Sequence, residues 1–158
     1  MFMAALILIL SVALFFFYLE ATCKKILRRE FSQEFFQSIV NANRLEFPSV
    51  RKAIEDFNSP VEYPRLTVML KCDFLSLTYL LKNAANVNQR YSKDEFLLIC
   101  YFRLVFASLR VRHLLKLRET PAALKLASIL QYFANVVGER VNTVRFGDLT
   151  ASDYLLNL

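Results

Sequence analysis

The sequence predicts an all-α protein: a single N-terminal transmembrane helix followed by a compact antiparallel bundle of four to five helices. Three observations carry that prediction. The run from Phe2 to Leu19, FMAALILILSVALFFFYL, contains no charged side chain. The 158 residues include only two Gly and four Pro, a shortage of turn formers that favours a few long helices over many short strands. Beyond residue 20, apolar side chains recur at i, i+3 and i+4 instead of alternating, which is the helical period.

The anchor comes first. Its only side-chain polar groups are the hydroxyls of Ser11 and, at its end, Tyr18, and a helix of about 18 residues rises about 27 Å, close to the ~30 Å hydrocarbon thickness. Twelve of these residues are Leu, Ile, Val or Phe, which together favour insertion by roughly 4 to 7 kcal/mol. No Lys or Arg precedes the run, whereas Lys24, Lys25, Arg28 and Arg29 follow it. That asymmetry predicts a membrane interface at those four residues, with the amino terminus outside and the C-terminal domain in the cytoplasm. Leu19-Glu20-Ala21 is a poor cleavage site, and no basic leading region marks a secretory signal.

The expected division is residues 1–19 as anchor, 20–45 as a basic juxtamembrane segment continuing as an amphipathic helix, and 46–158 as a cytoplasmic bundle. Leu27, Phe31, Phe35 and Ile39 fall at i, i+4, so the anchor helix is expected to run on toward Asn43 with this stripe against protein. Pro48 opens a short helix faced by Val50, Ile54 and Phe57. Asn58-Ser59-Pro60 and Tyr63-Pro64 form a rigid link. Leu66, Leu70, Phe74, Leu77 and Leu81 form the broad face of the next helix, in which Lys71 and Asp73 argue against a second span. Residues 83–91 read as a polar turn.

Ser92 with Glu95 three residues on is a capping box that starts a helix from Lys93 to Glu119. Its stretch FLLICYFRLVFASL, residues 96–109, is too short and too charged for a span, and is expected to be the central helix, covered on nearly all sides. Thr120-Pro121 gives a cap and a first-turn Pro for a last long helix, antiparallel to its predecessor. Its stripe is Leu126, Ile129, Leu130, Phe133 and Val137, beside a row of small residues Ala127, Ala134 and Gly138 that permits close backbone approach. Gly147 is the expected stop, with one further turn packing Tyr154, Leu155 and Leu156.

Charge and chemistry narrow the function classes. The net charge is +6, of which +2 resides in residues 20–30. Cys23, Cys72 and Cys100 are odd in number and lack C-x-x-C spacing, so no disulfide framework is expected. Asp73 and Arg103 each interrupt an apolar face, and the cost of an unpaired buried charge predicts that they meet as a buried ion pair, with Tyr79, Tyr101 and Tyr132 as neighbouring donors. Arg110, Arg112, His113 and Lys116 form a candidate contact for an anion or a partner. His113 has no His, Cys or carboxylate at i±3 or i±4, which argues against a metal site. No cofactor is expected, and no catalytic motif reads linearly, although triads do assemble from distant residues. Nucleic acid is disfavoured for want of exposed aromatics interleaved with the cations.

These features imply a non-enzymatic, membrane-anchored helical scaffold, adaptor or accessory subunit of a membrane complex. Its expected partners are the lipid bilayer, anionic lipid and another membrane or cytoplasmic protein. The alternative is a bundle that binds a lipid or small apolar ligand among the aromatics of residues 74–106.

Overall fold

The computed structural model describes residues 1–31, 35–56, 62–83 and 90–156, with side chains through residue 143. Six helices occur among them: α1 (Phe2–Leu27), α2 (Phe36–Asn43), α3 (Phe47–Glu55), α4 (Tyr63–Asn83), α5 (Lys93–Leu114) and α6 (Thr120–Leu156). Phe57, the Asn58-Ser59-Pro60 link, residues 84–89 of the polar turn and the packing of Tyr154, Leu155 and Leu156 fall outside the described residues.

Helix α1 is apolar and long enough to cross a bilayer. Its residues through Tyr18 are exposed, and burial begins at Leu19 and Cys23. One helix therefore carries both an uncovered apolar sleeve and a turn built into the core. It does not continue to Asn43, as the stripe predicts. The Arg28 N–H still bonds to the Lys24 and Lys25 carbonyls and that of Arg29 to Ile26, after which the chain leaves the helix. Tertiary contacts override periodicity here: Phe31 meets Tyr132 edge-on with centroids 5.5 Å apart, and a second helix starts at Phe36. Leu27, Phe31 and Ile39 of that stripe still lie against the core, and Phe36 joins them beside Phe35. Leu19, Cys23 and Val40 share one core cluster with residues of α4, α5 and α6, so the chain after the apolar sleeve packs against those helices at these points.

The start of α2 has no cap from its own side chains. Asn135 Oδ1 on α6 supplies one, accepting from the N–H groups of Phe35 and Phe36 at 2.9 Å each. Asp73 does the same for α3: its Oδ2 accepts from Glu46 N–H at 2.9 Å and Phe47 N–H at 2.6 Å. Isolated helices of eight or nine residues are marginal in water, and a carboxylate or amide at the N-terminus satisfies donors that would otherwise be orphaned. The predicted Asp73–Arg103 ion pair is thus corrected. Asp73 is buried on backbone donors, and Arg103 is exposed. A pair of local patterns identified Asp73 as buried but could not reveal that its partners were N–H groups twenty-six residues away.

Helix α5 runs antiparallel to α4 and α6, as Phe74 stacks on Phe102 (4.0 Å) near mid-helix while His113 stacks on Tyr63 (3.6 Å) at one end. The central helix is α6, which touches each of the others, and not α5 as expected. On α6 the stretch 132–138 is buried without a break, whereas α5 leaves Phe96, Leu104 and Val111 exposed. Hydrophobicity alone favoured α5; small residues decided for α6, because Ala127, Ala134 and Gly138 let neighbours approach its backbone. Helix α5 ends at Leu114 and not at Glu119, and α6 passes through Gly147 to Leu156.

Gly138 shows how close that approach is. A Cβ placed there would overlap Phe35 Cβ and stand 2.9 Å from its Cγ, and Phe35 is held by Asn135 one turn earlier on α6. Alanine improves an exposed helix by about 1 kcal/mol over glycine. Here Gly138→Ala is expected to destabilise by about 1 to 3 kcal/mol through overpacking, measurable as a lower unfolding midpoint of the full chain in detergent. An unchanged or higher midpoint would show that Phe35 is free to move.

Candidate functional site

The predicted charged residues cluster around the place where α1 enters the bundle. Glu20, two residues past the uncovered sleeve, accepts from Lys125 at 2.7 Å and from Lys24 at 3.1 Å. Lys24 is therefore tied to Glu20, while Lys25 and Arg28 stay exposed, with no side-chain partner among the described residues. Arg29 reaches Glu139 at 3.2 Å and lies over the Phe31 ring at 5.2 Å. Of the four predicted interface residues, Arg29 thus reaches across to α6 and Lys24 pairs within α1. Burial pushes the Tyr132 phenol above its ordinary pKa, and the Arg29 guanidinium beside it opposes that rise.

Leu27, Glu30, Phe31, Gln131, Tyr132 and Asn135 border an open groove of about 460 Å³ near this exit. From Glu20 beside Lys125 to Arg29 beside Glu139 and Phe31 beside Tyr132, the last two just past the end of α1, the chain advances from the first turns of α6 to its middle, so α1 and α6 run in the same general direction. The start of α6, and the turn before it, consequently lie on the sleeve side of Glu20.

That turn and the end of α5 before it contain Arg112, His113 and Lys116 of the other predicted cluster. Leu117 N–H bonds to Arg112 O at 2.8 Å and Lys116 N–H to His113 O at 3.1 Å, with Lys116 at φ 52°. These bonds form a Schellman motif whose left-handed position holds a lysine where glycine is usual. Lys116 therefore lies beyond the helix that carries Arg110, Arg112 and His113. Arg112 donates to Arg118 O at 3.1 Å. His113 Nδ1 contacts Glu119 Oε1 at 2.7 Å, a carboxylate six residues on that the i±3 and i±4 positions could not disclose. Stacked on Tyr63, that imidazole braces the turn against α4.

Arg103 and Arg110, seven residues apart on one side of α5, stand with Lys71 of α4 around a second open groove of about 360 Å³. Phe74, Phe102 and Phe106 form its floor, and Arg110 lies over Phe106 at 5.2 Å. The structure thus joins Arg103 to Arg110 and not to Asp73. Lys125 gave no local signal of its partner Glu20, which lies 105 residues earlier. Tyr79 is exposed and Tyr101 is buried near Glu20 and Cys23, so neither joins Asp73.

Among the described residues, no group of three or more His, Cys, Asp or Glu side chains converges as a metal site. What the arrangement offers is contact: cations around apolar surface. On α4, Val68, Leu75 and Tyr79 are exposed along one side, with exposed Cys72 between them. Compared with known proteins, the chain matches no family model, no curated protein and no solved structure.

Proposed function

We propose that the chain is a single-pass membrane protein whose bundle faces the cytoplasm and acts by contact, as a scaffold, adaptor or accessory subunit of a membrane complex. The observation that supports this best is the continuity of α1. Phe2 to Tyr18 present apolar side chains that no part of the bundle covers, and the same helix enters the core at Leu19 and Cys23. Water is a poor solvent for such a sleeve and hydrocarbon a good one. The basic residues that follow it support a cytoplasmic bundle. The exposed apolar side of α4 supplies a surface for a protein partner.

The ligand-binding alternative rests on the groove floored by Phe74, Phe102 and Phe106. That groove opens along the surface, which suits a docked side chain or helix as well as a small molecule, and the contact reading accounts for the α4 stripe too.

Cys72 is exposed and reports orientation. A membrane-impermeant maleimide is expected to label it only after the cytoplasmic side is opened; labelling in intact cells would reverse the topology. Removing residues 1–18, and stopping short of the core residue Leu19, is expected to yield a bundle that high salt releases from membranes. Retention after such a wash would reveal another insertion site. For the contact itself, a partner purified with the gently solubilised full chain should be lost in Leu75→Asp with Tyr79→Asp at unchanged thermal stability. Recovery of the chain alone would sink the adaptor reading.

A further inference from the structure

We infer that the turn between α5 and α6 is a second membrane contact, a basic leucine tip that enters the headgroup region of an anionic leaflet beside the anchor. The inference rests on the reading of α1 as a span. Its own ground is the placement and chemistry of the turn.

Placement follows from register. Helices α1 and α6 run in the same direction, with Glu20 beside Lys125. Going back from Lys125 to Thr120 covers five residues, about 8 Å of helix, in the direction in which α1 goes back from Glu20 into its uncovered sleeve. The turn from Leu115 to Glu119 therefore stands at the level where α1 has become wholly apolar. The Tyr63–His113 stack and the His113–Glu119 contact hold it there.

The exposed chemistry of the turn is unusual for a surface that meets water. Leu114 is 80% exposed, Leu115 63%, Leu117 54% and Val111 53%. A Schellman turn ordinarily buries the residue after its left-handed position against the preceding helical turn; here that residue is Leu117, which points outward. Lys116, Arg118 and Arg112 lie among these leucines, and Lys116 occupies the position where glycine would be the less strained choice. Apolar side chains between cations match the boundary of a bilayer, where leucines enter the acyl region and cations meet lipid phosphates. Continuity with the sleeve of α1 makes the leaflet the nearest occupant, ahead of a protein or RNA.

The test uses the full chain with Cys72→Ser and Cys100→Ser, leaving Cys23 buried, and one fluorophore at Ala13→Cys, Leu115→Cys or Asn83→Cys. It is reconstituted in phosphatidylcholine vesicles with or without phosphatidylserine, and a quencher is carried on the upper acyl chain. Quenching at 115 is expected to exceed that at 83 several-fold. It should fall several-fold without phosphatidylserine, or in Lys116→Glu with Arg118→Glu. If 13 is quenched and 115 is no more quenched than 83, the tip stands in water and only this inference fails. If 13 is also unquenched, the anchor reading fails with it. Shielding of 115 from aqueous iodide without lipid quenching would assign the tip to a protein surface and overturn the inference. Quenching indifferent to both phosphatidylserine and the charge reversals would overturn the assignment to an anionic surface.

Discussion

Replacing Arg140 with methionine is expected to destabilise the bundle by about 3 to 5 kcal/mol, because it strands a buried carboxylate. Among the described residues, Glu95 is one of three buried polar or charged residues in the core, with Asp73 and Asn135. Its Oε1 pairs with Arg140, its Oε2 accepts from Ser92 N–H at 3.1 Å, and Arg140 also donates to Leu81 O at 2.6 Å. The end of α4, the start of α5 and the middle of α6 are joined by this one group of side chains. Its side-chain exposures are 5% for Glu95 and 20% for Arg140, so water can replace little of what the substitution removes. Denaturant unfolding of the full chain in detergent, followed by helical circular dichroism, measures the loss. The double variant Glu95→Gln with Arg140→Met should recover much of it, since the amide keeps the capping position without a charge. A loss below about 1 kcal/mol for Arg140→Met alone would mean that Glu95 finds solvent or another partner.

Asp73→Ala comes second. It leaves the N–H groups of Glu46 and Phe47 without their acceptor at the start of α3, and buried donors left unpaired cost about 1 to 3 kcal/mol each, so a loss of about 2 to 4 kcal/mol is expected. Asp73→Asn keeps an acceptor and should cost less. The two variants also separate the charge from the hydrogen bonds. Burial raises the Asp73 carboxyl above its ordinary value of 3.8, against the opposing effect of the Phe47 and Glu46 donors. A carboxyl with a raised folded pKa binds its proton more tightly folded than unfolded. Its contribution is fully present below the ordinary value and is lost as pH rises through the folded one. Wild-type stability relative to Asp73→Asn should therefore decline as pH rises from below 3.8 through the raised pKa. A difference that grows over that interval would show the donors outweighing desolvation.

Some of this architecture was visible in single residues. Ser92 and Glu95 form the predicted capping box, with both hydrogen bonds present; α6 begins at Thr120, one residue before the start that Thr120 as its cap would give. Leu66, Leu70, Phe74, Leu77 and Leu81 are all buried on α4, as are Leu126, Ile129, Leu130, Phe133 and Val137 on α6. Among the site residues, Lys24, Lys25, Arg28 and Arg29 follow the apolar sleeve within the next eleven positions. Other features left no local trace. Asn135 appears in sequence as an unremarkable polar residue in an apolar stretch, yet it ends one helix break and begins α2. Glu119 gave no hint of His113, because the turn that joins them changes the helical geometry between.

The sequence alone determined the helical class, the apolar leading helix with its basic flank, and the faces that each long helix turns inward. All of these depend on side chains three or four positions apart, which meet whatever the rest of the chain does. The tertiary structure alone decided which helix lies at the centre, where the first helix breaks, and how Asp73, Glu95 and Asn135 are satisfied. A buried polar group takes whichever donor or acceptor the fold brings to it, and that partner stands far along the chain, where no short-range period reaches.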